Sequence, residues 1–401
     1  PHTGTLPPAP TPVPLPTPEP FFLNDPAPTG RLVYRALPPY RAFDSKDDAA
    51  NANGRLTGGT PQTIDTNVPA AATAALVNLT IADTVAPGFL RVWKPGATPP
   101  ETSTVNAETA GGYVANAAIV PVDDEGNFVV ESLTDARVVV DVMGSFVPAD
   151  DTEAAGRFVP LPSVRLADTR EPAASDNAYT DNGTTTIVDV GRGGFPDGEV
   201  TGAYVLSIAA ISQPGTPGGY VGAYPGGGEY TGTSNVNVTP GDVRANMVVV
   251  PADATGKVRI EHLNTAGIVV DVLGYFTGEA APEASAGRFT FVTPTRSIDT
   301  RTPLGFARLG DAGTDSIGFV PPFPVAALVQ NVTVTNTTRP GYLSTFPGDT
   351  PVDGVSTVNW IGGGQTRAAL AFTEFSDTNR IGYHTLTSTD LVVDVVGVFT
   401  E

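Results

Sequence analysis

The sequence predicts an all-β protein: three tandem antiparallel β-sandwich domains, jelly-roll or Greek-key-like, behind an extended Pro-rich N-terminal arm. Three observations carry this. One series of motifs runs three times through the 401 residues. Within each copy the apolar residues alternate with period two or form runs of four to eight, rich in Val, Ile, Thr, Tyr and Phe. Gly (44) and Pro (39) punctuate those runs, and no stretch keeps a capped helical period for three turns.

Composition bounds the function. There are 42 acidic against 22 basic residues, a formal net charge of −20, and no cysteine. The missing cysteine excludes disulfide frameworks, iron–sulfur clusters, thiolate zinc sites and cysteine nucleophiles. The acidic balance argues against a phosphate-reading surface, so no nucleic-acid partner is expected. A hydrophobic fraction of 40% excludes a wholly disordered chain, and no apolar run reaches the roughly 18 residues of a membrane span. Only Lys46, Lys94 and Lys257 are lysines, against 19 arginines. That skew reads as a coding bias, and arginine also suits planar, two-pronged ion pairs. The sequence opens at Pro1 without a basic-then-apolar leader, which is read as the processed N-terminus of a secreted protein.

The copies open on Gly30-Arg31-Leu32-Val33, Gly156-Arg157-Phe158-Val159 and Gly287-Arg288-Phe289-Thr290. About ten residues later come Arg41-x-x-Asp44-Ser45-Lys46, Arg165-x-x-Asp168-Thr169-Arg170 and Arg296-x-x-Asp299-Thr300-Arg301, spaced by 124 and 131 residues. Midway an apolar strand, a Gly turn and a second strand lead to Ser103-Thr104-Val105-Asn106, Ser234-Asn235-Val236-Asn237 and Ser356-Thr357-Val358-Asn359. Each copy closes on a V-D-V-x-G-x-F strand: 140–146, 270–276 and 393–399. The expected domains are therefore 30–148, 156–277 and 287–401, with an arm at 1–29. Seven to nine short strands per copy imply a two-sheet sandwich; a closed barrel is the competing arrangement. The connectors Pro148–Ala155 and Gly278–Ala286 reach at most about 30 Å, so successive domains touch or nearly touch. A rod and a pseudo-threefold cluster both satisfy that reach.

The combination R-x-x-D-T-R, N-V-T-V-T-N…P-G-Y-L, S-T-V-N-W and V-V-D-V-x-G-x-F resembles a repeat common in secreted proteins of actinobacteria, found in tandem or beside wall-associated hydrolase domains. The third copy matches best, through Asn331–Asn336, Pro340–Leu343, Ser356–Trp360 and Val392–Phe399. The first departs most, with Ser45 and Lys46 in place of Thr and Arg. The resemblance covers residues 30–401 and implies secretion and surface display, not a reaction.

Three groups of residues stand out as sites. Asp141, Asp271 and Asp394 lie inside Val-rich strands, where an unpaired carboxylate is costly. They are expected to form structural ion pairs with the recurring arginines (Arg41, Arg165, Arg170, Arg296, Arg301), alongside Asp44, Asp168 and Asp299. The opposing reading is a carboxylate pair for acid–base chemistry, with Asp168 or Asp299 beside the strand aspartate. Next, Phe89/Trp93, Tyr220/Tyr224 and Tyr342/Phe346 lie four apart on expected strands, hence on one face about 13 Å apart. Such rings either stack on sugars or fill a core, and core packing is preferred. Finally, His2, His262 and His384 are too scattered for a metal cluster or triad. No G-x-S-x-G elbow or P-loop is present, so neither an enzyme nor a cofactor is expected. Asp123-Asp124-Glu125-Gly126-Asn127 invites calcium but reads better as a hairpin turn. The acceptor-like triplets at Asn78, Asn237 and Asn331 read as chance.

In the arm, proline takes every second position from Pro8 to Pro20. One reading is a stiff spacer. The sharper reading follows from strand geometry: along Pro8, Ala9, Pro10, Thr11, Pro12, Val13, Pro14, Leu15, Pro16, Thr17 and Pro18, the prolines remove the donors of one edge only. Such a strand adds to a sheet and then ends it. At about 3.1 Å per residue the arm reaches roughly 90 Å, beyond one domain. The expected function is thus a secreted structural protein assembling head to tail with itself into a filament, sheath or surface layer, with the arm on a neighbouring subunit. The alternative is a carbohydrate-binding or adhesive module contacting cell-wall or surface glycan.

Overall fold

The structure, a computed structural model, describes residues 20–23, 31–150, 152–171, 179–181, 183–196 and 198–401. Apart from three short 3-10 turns, its elements are strands. In the first repeat eight strands run Leu32–Asp44, Gln62–Asp65, Ala74–Ala82, Gly88–Trp93, Val105–Ala107, Tyr113–Pro121, Asn127–Ser132 and Arg137–Pro148. Numbered in chain order, they form one antiparallel sheet in the order 1-8-3-6 and another in the order 2-7-4-5. This is a jelly roll, and both other repeats use the same order.

Each sandwich encloses its own core, around Val77, Leu79, Leu90 and Phe128; Leu206, Ile208, Val221 and Ile260; and Leu328, Val332, Leu343 and Tyr383. A fourth core joins all three. The 1-8-3-6 sheets face one another and bury Leu76, Met143 and Phe146, Val205, Met247 and Phe276, and Val329, Phe372 and Phe399 together. The inner sheets are therefore apolar on both faces. Ala74–Ala82 is buried at every position, because its even and odd residues serve two different cores. Continuous apolar runs in the sequence record this double burial.

The repeats close into a pseudo-threefold ring. Tyr34 stacks on Phe276 of the second repeat at 4.2 Å between centroids, Phe158 meets Phe399 of the third at 4.6 Å, and Phe289 meets Phe146 of the first at 5.0 Å. The backbone repeats the cycle. Tyr34 N–H donates to Gly156 O (2.8 Å), Phe158 N–H donates to Gly287 O (2.7 Å), and Leu32 pairs with Phe289. Gly156 and Gly287 have φ of +80° and +78°, and a Cβ there would lie 2.0 Å and 2.4 Å from the carbonyl oxygens of Tyr34 and Phe158. Only glycine permits this approach. The conserved spacing of Gly144, Gly274 and Gly397 within the three closing strands has a similar cause: each gives the rings of Tyr34, Phe158 and Phe289 a place to lie.

This geometry corrects one sequence alignment. Tyr34, Phe158 and Phe289 are equivalent, since they pair with Phe146, Phe276 and Phe399. Leu32, rather than Gly30, therefore corresponds to Gly156 and Gly287. The Gly30-Arg31 opening stands two residues too early.

Candidate functional site

The polar motifs converge on the three seams between repeats. Arg41 lies opposite Asp141 in the ladder of strands 1 and 8, as Arg165 lies opposite Asp271 and Arg296 opposite Asp394. Each pair is two-pronged: Nε–Oδ1 is 2.9, 2.9 and 2.8 Å, and Nη2–Oδ2 is 3.2, 3.2 and 3.3 Å. The second aspartates are held separately. Arg170 and Arg301 bind Asp168 and Asp299 through Nε at 2.8 Å. Arg170 and Arg301 thus serve these carboxylates and not those of the closing strands. In the first repeat Lys46 gives Asp44 only its backbone N–H, and Arg137 from strand 8 supplies the guanidinium instead.

Hydrogen bonds from Arg170 and Arg301 hold the Asp168 and Asp299 carboxyls below the usual range. Burial pushes Asp141 and Asp271 upward, against the pull of Arg41 and Arg165. An arginine reaches both carboxylates of each copy. This is ion-pair geometry and gives no carboxylate dyad facing an open cleft.

The segment at each S-x-V-N motif crosses to the preceding repeat around the ring. Ser234 N–H donates to Asp141 Oδ2 (3.3 Å), Arg41 Nη2 donates to Gly232 O (3.1 Å) and Thr231 Oγ1 donates to Pro39 O (2.7 Å). Asn78 Nδ2 donates to Ser234 O, and Asn331 Nδ2 donates to Ser103 O. Two buried asparagines complete these seams. Asn246 Nδ2 donates to Asn78 Oδ1 (2.9 Å) while its Oδ1 accepts from Ala117 N–H. Asn116 does the same for Asn331 (3.0 Å) and Leu370 N–H. At the third seam the equivalent residues are Ser207 and Ala369, and only Ser207 Oγ approaches Ser356 O, at 3.5 Å. The sequence reading missed Asn116 and Asn246 and took Asn78 and Asn331 for chance glycosylation triplets. The available signal was an asparagine inside an otherwise apolar strand.

Near this end of the axis, Asp242 and Arg244 of the second repeat meet Arg367 of the third and Glu108 of the first. Arg367 Nη1 is 2.8 Å from Asp242 Oδ1, Arg244 Nε is 2.7 Å from Asp242 Oδ2, and Glu108 Oε1 accepts from Thr366 N–H at 2.6 Å. Two cations and two anions balance there, one or more from every repeat.

The paired aromatics do not form exposed platforms. Trp93, Tyr224 and Phe346 are buried, at 8%, 7% and 3% exposure, while Phe89, Tyr220 and Tyr342 are half-buried. Trp93 lies under Arg91 and lines a 510 Å³ crevice against Phe291 and Val396 of the third repeat. Phe346 lines a 300 Å³ crevice against Pro160 and Leu161 of the second. Tyr224 packs on Tyr230. Of the two readings of Trp93, Tyr220, Tyr224, Tyr342 and Phe346, sugar stacking needs exposed rings and packing needs buried ones, and the inner ring of each pair is buried.

Pro8–Pro18 lie outside the described residues. The end of the arm is described, and it docks on the same chain. Phe21 and Phe22 pair in parallel with Phe319 and Val320 at the edge of the third repeat's outer sheet. Phe21 meets Phe319 edge-on at 5.7 Å, Leu23 N–H donates to Val320 O at 3.3 Å, and Leu23 is buried in that core. The equivalent edge is covered by Tyr179–Asp181 in the second repeat; in the first, Gln62–Asp65 has no covering strand among the described residues.

The Asp123 carboxylate is spent on the N–H groups of Glu125 and Asn127. Among the described residues no group of three or more His, Cys, Asp or Glu side chains is placed to hold a metal ion. No helix among them is long and apolar enough to cross a membrane.

No family model and no curated protein matches the chain. Among solved structures it is similar to the N-terminal CBM22-1–CBM22-2 tandem domain of Paenibacillus barcinonensis Xyn10C, with 11% identity over 63% of this chain and 99% of that one and a TM-score of 0.17. It is also similar to a structure described as the triple jelly roll fold and turret assembly of an archaeal virus, with 11% identity over 92% and 91% and a TM-score of 0.18. A third is the ANXUR1 extracellular domain of Arabidopsis thaliana, at 6% identity and a TM-score of 0.17. Scores this low transfer no site or activity.

Proposed function

We propose that this is a secreted structural protein that assembles with itself, head to tail, into an extracellular filament, sheath or surface layer through its N-terminal arm. One observation carries the reading: the third repeat owns a receptor edge for the arm, where Phe21 finds a ring partner and Leu23 enters the core. Every copy offers that edge, so exchange of the strand between copies turns an internal seat into a link. The alternating prolines support it, because a proline-lined outer edge ends the sheet instead of recruiting further strands. A contact of this kind that does not close yields a filament.

Electron microscopy of the full chain and of a variant lacking residues 1–29 tests the proposal. Assemblies are expected from the first, and folded single molecules from the second. Unchanged assemblies without the arm overturn it. A second reading, an adhesive glycan-binding module, draws on the Trp93 crevice between the first and third repeats. A glycan pulldown compared between the full chain and Trp93→Ala tests it.

A further inference from the structure

The core of the third repeat contains four connected polar side chains where the other two repeats are aliphatic. Gln330 stands in strand 3 where the first and second repeats have Val77 and Leu206. Thr373 in strand 6 replaces Val120 and Val250. In the outer sheet, Thr345 and Tyr383 replace Val92 with Val130 and Ala223 with Ile260. Eight aliphatic positions show that the jelly roll does not need polarity here. Substituting a buried aliphatic by a polar group is costly unless every new group is bonded.

In this quartet the bonds are made, and their directions are those of a reaction. Gln330 Nε2 donates to Thr373 Oγ1 at 3.0 Å, with Gln330 and Thr373 0% and 3% exposed. Tyr383 Oη, fully buried, donates to Gln330 Oε1 at 2.7 Å. Thr373 Oγ1 donates in turn to Thr345 Oγ1 at 2.9 Å, which lies 3.1 Å from Thr357 Oγ1. A hydroxyl thus stands beside a carboxamide whose carbonyl is polarised by a phenol, and its proton points along a chain of hydroxyls. Thr345, Thr357 and Thr373 all line the crevice between the second and third repeats. The chain of hydroxyls therefore ends at water.

We propose that Thr373 and Gln330 form an intramolecular ester cross-link between strands 3 and 6 of the third repeat. Thr373 Oγ1 attacks Cδ of Gln330 and a C–O bond forms. Charge on Oε1 is stabilised by the Tyr383 hydroxyl, as in an oxyanion hole. The C–Nε2 bond then breaks, and the Thr373 hydroxyl proton leaves along Thr345 and Thr357 to water in the crevice. The departing nitrogen takes a proton back from that water, and ammonia leaves by the crevice. No oxidant, metal or second molecule is consumed. Fixing both partners in one core supplies the effective concentration that solution chemistry lacks, and the same burial shields the ester from hydrolysis. In a chain without cysteine, such a bond gives the strand ladder a covalent tie. It stands independently of the arm and of self-assembly.

Mass spectrometry of the intact full-length protein tests this. The wild type is expected to weigh less than its sequence by one ammonia. Digestion should yield the Gln330 and Thr373 peptides joined, and alkaline hydroxylamine should separate them. Thr373→Val, and the double variant Gln330→Val/Thr373→Val that installs the Val77 and Val120 residues of the first repeat, should both show the full sequence mass. Tyr383→Phe should slow cross-linking by about 100-fold or more, read as an uncross-linked fraction in freshly made protein. A wild type of full sequence mass overturns the proposal. So does an ammonia loss that persists in Thr373→Val or maps to another position, such as a succinimide at an Asn–Gly step.

Discussion

Asn331 of the third repeat donates its side-chain amide to the carbonyl of Ser103 in the first, at 2.9 Å, and holds Asn116 at its other end. The first and second repeats are joined the same way through Asn78 and Asn246. Between the second and third repeats the residues are Ser207 and Ala369, and the link thins to a 3.5 Å approach. At this position, then, two seams carry an asparagine pair and the third does not, although Arg367 and Asp242 tie that third seam elsewhere at 2.8 Å.

Removing a buried asparagine should expose this difference. Asn246→Ala or Asn116→Ala strands backbone and side-chain partners in a buried seam and is expected to cost about 1–3 kcal/mol. Ser207→Ala should stay within about 0.5–1 kcal/mol. Denaturant midpoints of the three variants rank them.

The acidic grip differs between repeats, and mutation should report it. Arg137→Ala removes the guanidinium from buried Asp44 and is expected to cost about 1–3 kcal/mol, discounted because that arginine is a quarter exposed. Lys46→Ala, at the position matching Arg170 and Arg301, should be near neutral. Equal losses from both would contradict the assignment of Arg137.

Stability should fall in acid through Asp168 and Asp299. Arg170 and Arg301 hold both carboxyls below their ordinary value, so the unfolded chain binds these protons more readily. Their contribution is complete above about pH 3.9 and is lost as pH drops through the lower folded values. Asp141 and Asp271, raised by burial, act in the opposite sense. Asp168→Asn is expected to flatten the acid limb of the urea midpoint and to lower the plateau at neutral pH.

Gly156→Ala should damage the ring more than a core sandwich. The added carbon meets the Tyr34 carbonyl at 2.0 Å in a left-handed backbone conformation, and about 3 kcal/mol or more is expected. Ala at Gly59, also left-handed but with open space around it, controls for backbone strain alone. Thermal melts separate the two.

Much of the fold was legible. Period-two apolar runs and Gly/Pro turns predict strands because each strand must bury one face and reverse tightly, and the Arg41–Asp141, Arg165–Asp271 and Arg296–Asp394 pairs follow from the cost of a carboxylate in a Val-rich strand. The aromatic pairs were half legible: spacing puts Trp93 on a face, but not on a face that another repeat covers. The arm's seat was hidden, since Phe21-Phe22-Leu23 carries no motif and finds its partner at Phe319, almost three hundred residues away.

The sequence by itself determined three β-sandwich repeats and the need to pair the aspartates of their closing strands with arginine, both properties of local period and of pairwise polarity. Only the tertiary structure decided that the repeats close into a ring. Closure depends on double burial of the inner sheets, on Gly156 and Gly287 admitting a neighbouring backbone, and on asparagines that meet across repeats. Those are contacts between segments more than a hundred residues apart, and no periodicity within one strand encodes which neighbour will cover its second face.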